Sequence, residues 1–166
     1  MSTNGNLSTS QTPGLQPNNL PRQALLGMSA AEAKIRYKDD LTEFEMQEMT
    51  QYEQIYTIGT HRVAKASDAS KSDGAYLVHI GEHLAYRYII DKICGEGAFG
   101  QVLMCRDMKH IGKIVAIKIG KNTKGEIDNA QIESKFLQRI GSNQPEKHRM
   151  VRMLQSFFFR RHFLIV

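Results

Sequence analysis

Gly95-Glu96-Gly97-Ala98-Phe99-Gly100-Gln101-Val102 spaces three glycines so that backbone N–H groups can approach a phosphate chain with no Cβ in the way. The same spacing serves two architectures. In a dinucleotide-binding sheet the third glycine opens a helix, and an acidic residue follows about 20 positions on. Here Gly100 runs into Gln-Val-Leu-Met-Cys, a strand pattern, and residues 113–119, where the acid belongs, read as a second strand. A glycine-rich hairpin fits better than a dinucleotide fold, which would require NAD binding.

The second strand contains Val115-Ala116-Ile117-Lys118. Alternate strand residues share a face. Val115, Ile117 and Ile119 therefore point one way, and Ala116 and Lys118 the other. A small residue beside an inward lysine leaves room for a flat ring next to an anion, such as adenine over Ala116 and phosphates near Lys118. Further on, Ala130, Glu133, Phe136, Leu137 and Ile140 recur at helical period. Glu133 falls inside that apolar stripe, where a buried carboxylate needs a cation. Lys118 is the obvious one.

These residues need a sheet and a helix to position them. Residues 88–94, 101–106, 114–119, 151–159 and 162–166 read as strands, and 128–140 as the one good helix. The connections are short, which favours antiparallel pairing. Upstream, Ser29-Ala-Ala-Glu32 and Thr42-Glu-Phe-Glu45 are capping-box patterns. They predict short helices running to about residues 38 and 49. Residues 76–80 are a further short strand candidate, 60–73 read as a linker, and 1–24 have the composition of a disordered segment.

Composition narrows the class. Hydrophobic residues at 41% and charged residues at 23% fit a soluble globular domain. No apolar run is long enough to span a bilayer. Residues 1–11 are polar and lack the pattern of a secretory signal, so the expected location is cytoplasmic or nuclear. The net charge of +5 is scattered, and no nucleic-acid motif accompanies it. Cys94 and Cys105 give neither a disulfide framework nor metal-ligand spacing and read as small buried hydrophobes.

A glycine-rich hairpin, Val-Ala-Ile-Lys and a helix glutamate resemble the N-terminal lobe of protein kinases. Tyr86-Arg-Tyr88, Gly97-Ala-Phe-Gly-Gln-Val102, Asn129-Ala-Gln-Ile-Glu133 and Phe159-Arg-Arg-His162 look like the DYRK family of dual-specificity tyrosine-phosphorylation-regulated kinases. Residues 41–45 through 52–56 resemble that family's homology box, and the two-helix segment before them its N-terminal accessory region. The resemblance runs from about residue 28 to residue 166. It implies an α+β fold: a kinase-like N-lobe with a five-stranded antiparallel sheet and one helix, behind a short helical accessory segment and a disordered N-terminus. The expected divisions are 1–27 tail, 28–85 accessory segment with homology box, and 86–166 N-lobe.

The resemblance also implies roles. Gly95, Glu96, Gly97, Ala98, Phe99 and Gly100 would form a flap over the phosphates of ATP. Val102 and Ala116 would cover the adenine, Lys118 would pair with the α- and β-phosphates, and Glu133 would hold Lys118. Cys94 departs from the usual aliphatic residue before the first glycine and would place a thiol in the adenine ceiling. Glu96 stands where many relatives carry lysine, with a side chain able to face solvent. Phosphoryl transfer further needs a catalytic Asp and Mg²⁺ ligands. The sequence contains no His-Arg-Asp and no Asp-Phe-Gly, so it offers no catalytic residue and no metal ligand. The expectation is an N-lobe that alone is poorly stable, binds ATP weakly and phosphorylates no protein. In the complete kinase, ATP with Mg²⁺ and protein substrates would be the partners, with no nucleic acid and no membrane. The alternative is a short non-catalytic module that binds the partners of a full-length kinase.

Overall fold

A computed structural model describes residues 27–59, 69–141 and 151–166. The expected disorder over 1–24 and most of the linker expected over 60–73 lie outside these residues. Ser29 and Glu32 exchange capping hydrogen bonds, and α1 (Ala30–Arg36) begins at that box. Thr42 and Glu45 do the same for α2 (Glu43–Glu48), which a 3₁₀ turn, Met49–Gln51, extends. Helices this short do not hold on propensity. Ala33, Leu41, Met49 and Ile55 hold them by packing with Tyr86 in one buried cluster. Met28 and Ile55 close the segment with reciprocal backbone hydrogen bonds of 2.9 and 2.8 Å.

The strand expected over residues 76–80 is absent. Tyr76 makes a single bridge, to Ser70, and glycines at positive φ, Gly74 and Gly81, turn the chain on either side. The strand of this region is β1 (His83–Leu84), and it makes the sheet six-stranded rather than five-stranded. The others are β2 (Tyr88–Gly97), β3 (Gly100–Asp107), β4 (Ile114–Gly120), β5 (Ser156–Phe159) and β6 (His162–Ile165). All pairs are antiparallel, in the order β1-β2-β3-β4-β6-β5. Residues 151–155, expected to belong to β5, lie outside it, although Leu154 and Gln155 still exchange backbone hydrogen bonds with Val166. Helix α3 (Lys124–Gly141) starts one turn earlier than expected and crosses from β4 to the last hairpin.

The two faces of the sheet differ. Ile90, Leu103, Cys105, Val115, Ile117 and Leu164 form the main core with Tyr76 and Leu84 of the preceding segment. Helix α3 lies on the opposite face and covers β6, where Ala130 packs with Phe163 and Ile165. Among the described residues, the part of that face over β3 and β4 is open, with Val102 and Ala116 exposed.

One charge cluster fixes the closed face. Arg160 and Arg161 form the β5–β6 turn with φ of 45° and 67°, left-handed values that L-residues seldom adopt. The Arg160 guanidinium is buried. It donates to Glu48 at 3.1 and 2.9 Å and to Glu82 at 3.0 Å, and it stacks on Phe159 and Phe44. Burial alone would lower its pKa, but the hydrogen bonds and charge of Glu48 hold it above the ordinary value. Tyr86 Oη donates to the same Glu48 carboxylate at 2.7 Å. A second cluster closes the β3–β4 end. Asp107 accepts from Arg87 Nε and Nη2, at 2.8 Å each, and from His110 Nδ1 at 2.8 Å. Burial would raise the Asp107 pKa, but these donors outweigh it and bring it from 3.8 down to about 2.

Two outcomes follow. Arg160→Leu leaves the buried Glu82 and the partly buried Glu48 carboxylates without their cation and should cost about 3 kcal/mol in urea unfolding. A loss below about 1 kcal/mol would mean the cluster is dispensable. A depressed folded pKa contributes stability above the unfolded value that is lost as pH falls. The stability gap between wild type and Asp107→Asn, about 2 kcal/mol at pH 7, should therefore close between about pH 4 and pH 2.

Candidate functional site

The β2–β3 hairpin pairs Gly95 with Val102, Glu96 with Gln101 and Gly97 with Gly100, leaving Ala98 and Phe99 at its tip. Its three glycines differ in what they do. Gly100 has φ of 136°, and a Cβ there would fall 2.2 Å from the Ile119 carbonyl oxygen. Only glycine lets the hairpin seat on β4 at that point. Gly95 and Gly97 have nothing within 4 Å of their Cβ positions, so they keep backbone accessible rather than relieve a clash. Phe99 is 61% exposed at the tip.

Register brings the other residues together. β3 pairs with β4 through Val102 and Lys118 and through Met104 and Ala116. Those four therefore share the open face, and the alternation expected in β4 is present: Val115, Ile117 and Ile119 are buried on the other side. Met104 escaped sequence reasoning, although its place two residues beyond Val102 on a strand was the available signal. A register shift between Ile93 and Gly95 leaves Cys94 as the extra residue of a bulge with an exposed thiol. The expectation that both cysteines are buried thus fails for Cys94. Unpaired by the ladder at the hairpin's mouth, it has no layer above it among the described residues.

Lys118 Nζ donates to Glu133 Oε2, the pairing the sequence led us to expect. Burial of the carboxylate is not what brings the two together. Glu133 is 40% exposed and Phe136 is 63% exposed, so neither belongs to a buried stripe. The face of α3 that meets β6 is narrow and runs through Ala130, Ser134 and Leu137. Glu133 lies at its margin, on the side of Lys118, and stays within reach of water. Glu96 is exposed and accepts from Lys71 Nζ at 3.4 Å. Among the described residues, no group of three His, Cys, Asp or Glu side chains could hold a metal ion, and no helix is long and apolar enough to cross a membrane.

A six-stranded antiparallel sheet with a glycine hairpin, a strand lysine and a helix glutamate joined to it has the architecture of a protein-kinase N-terminal lobe. Sequence comparison carries this to a family. The chain is 38% identical over 136 residues to the DYRK-family kinase pom1 of Schizosaccharomyces pombe, covering 75% of this chain and 12% of that protein. It is 32% identical over 154 residues to human dual specificity tyrosine-phosphorylation-regulated kinase 4, covering 87% and 29%. To human dual specificity tyrosine-phosphorylation-regulated kinase 3 it is 34% identical over 164 residues, covering 93% and 26%. The chain belongs to the DYRK family of protein kinases. It spans less than a third of the length of these relatives. No protein-family model matches it.

The two thiols give a direct test of the faces. Burial pushes the Cys105 thiol up to about 12, whereas Cys94 is exposed. Iodoacetamide should modify Cys94 in folded protein and reach Cys105 only after unfolding. Equal rates at both would contradict the assigned faces.

Proposed function

We propose that this chain is the nucleotide-binding lobe of a protein kinase that transfers the γ-phosphoryl group of ATP to serine, threonine or tyrosine hydroxyls of proteins. The observation that carries the reading is the Lys118–Glu133 pair, which joins β4 to α3 beside the open face of the sheet. Val102, Ala116 and Cys94 give that face or its rim a small-residue surface suited to an adenine ring. The hairpin from Gly95 through Glu96, Gly97, Ala98 and Phe99 to Gly100 offers accessible backbone for the phosphates. Lys118 would meet the α- and β-phosphates, and Glu133 would keep its ammonium in place. Mg²⁺ accompanies ATP in this chemistry, but its ligands and the catalytic Asp are not among these 166 residues. Phosphoryl transfer is therefore proposed for the longer protein that the relatives' lengths suggest. Within the chain, 28–85 would act as an accessory segment and 86–166 as the lobe, in a cytoplasmic or nuclear protein.

Mg–ADP at millimolar concentration should raise the melting temperature of the 166-residue chain. Lys118→Met should abolish that rise while shifting unfolding free energy by no more than about 1 kcal/mol, because the pair is partly exposed. Equal protection of both proteins would remove Lys118 from the site. Autophosphorylation by this chain alone would contradict the division of labour.

A further inference from the structure

Glu96 sits awkwardly in a phosphate-binding flap, since its carboxylate opposes a polyphosphate. Its partner Lys71 belongs to a loop, residues 70–75, that is fastened to the far end of β4. Asn122 N–H donates to the Gly74 carbonyl at 2.9 Å, and Asn122 Nδ2 donates to Ser70 Oγ at 2.7 Å. Ser70 Oγ also lies 2.9 Å from Nε2 of the buried His162, whose Nδ1 donates to the Gly120 carbonyl at 2.7 Å. Lys121 Nζ donates to Asp73 at 2.8 Å. The approach is close enough that a Cβ on Gly74, at φ 80°, would fall 2.8 Å from Asn122 Oδ1.

The loop therefore presents one cation and one anion, and each meets its opposite. Lys71 faces Glu96 on the flap strand, and Asp73 faces Lys121 beyond β4. Lys121 N–H in turn reaches the carbonyl of Phe99 at the flap tip, at 3.4 Å. A loop anchored at β4 and touching the flap at a single ion pair is placed to fix the height of the flap above the open face.

We propose that Lys71 is a positioning residue for the nucleotide site: it tethers Glu96, and with it the glycine flap, to the anchored 70–75 loop, and screens that carboxylate from a polyphosphate. The phosphate half of this inference rests on the nucleotide reading of the site. The tether itself does not.

Two readouts separate them: amide hydrogen exchange over residues 96–100 without nucleotide, and the affinity ratio of Mg–ADP to adenosine. Lys71→Met should speed flap exchange and lower the ratio by about two- to fivefold, the reach of one exposed ion pair. Lys71→Arg should behave as wild type. The swap Lys71→Glu with Glu96→Lys should restore flap exchange, whereas Lys71→Glu alone should not. The difference between wild type and Lys71→Met should shrink in about 0.5 M salt. Unchanged flap exchange in Lys71→Met, or a swap that restores nothing, would overturn the tether. Flap exchange that responds in a protein binding neither ADP nor adenosine would support the tether and overturn the nucleotide reading.

Discussion

Arg160 occupies a turn in a backbone conformation that costs an L-residue about 1–2 kcal/mol, and its guanidinium is almost wholly out of water. Both penalties are offset by groups that come from elsewhere in the chain. Glu48 reaches it across 112 positions and Glu82 across 78. The result joins the end of α2, the approach to β1 and the last hairpin at one point. The α1–α2 cluster is tied in there as well: it packs on Tyr86, and Tyr86 donates to the same Glu48. On the other face α3 packs mainly on β6, which leaves the patch over β3 and β4 open among the described residues.

The Arg160 pairs and the Lys118–Glu133 pair do different work, and their environments say which. The Arg160 pairs are 1–10% exposed, so removing one partner strands a charge in a low-dielectric interior. The Lys118–Glu133 pair is 31–40% exposed and adds little to folding. An ion pair of small structural worth, set where alternation in β4 turns Lys118 towards the open face, suits the phosphate-binding role proposed for it. The Lys71–Glu96 pair is likewise exposed, so the tether proposed for it would act on the hairpin without holding the fold together.

Features of short range were legible in the sequence. The capping boxes at Ser29 and Thr42 are complete within four residues, and the alternation of Val115, Ile117 and Ile119 needs only a strand. Glu133 does meet Lys118, but not from a buried stripe: the packed face of α3 runs through Ser134, and Phe136 faces outward. What escaped depends on distant partners. A two-residue strand such as β1 carries no periodic pattern, and it exists because β2 offers an edge to pair with. The role of Arg160 is hidden because its carboxylate partners, Glu48 and Glu82, lie far from it in sequence, and a turn of two arginines lacks the Asn-Gly chemistry that announces such hairpins. Of the stretch that reads as a linker over 60–73, the described end is held by partners distant in sequence, Lys121 and Asn122 just past β4 and His162.

The nucleotide is proposed to bind on the open face, bounded by the glycine hairpin and the Lys118–Glu133 pair. Amide chemical-shift mapping of the chain during a titration with ADP tests it most directly. Shifts should be confined to residues 94–102, 116–118 and the flank of α3 around Glu133, with α1, α2 and the Arg160 turn unmoved. Saturable shifts centred on the closed face, with the glycine hairpin silent, would contradict it.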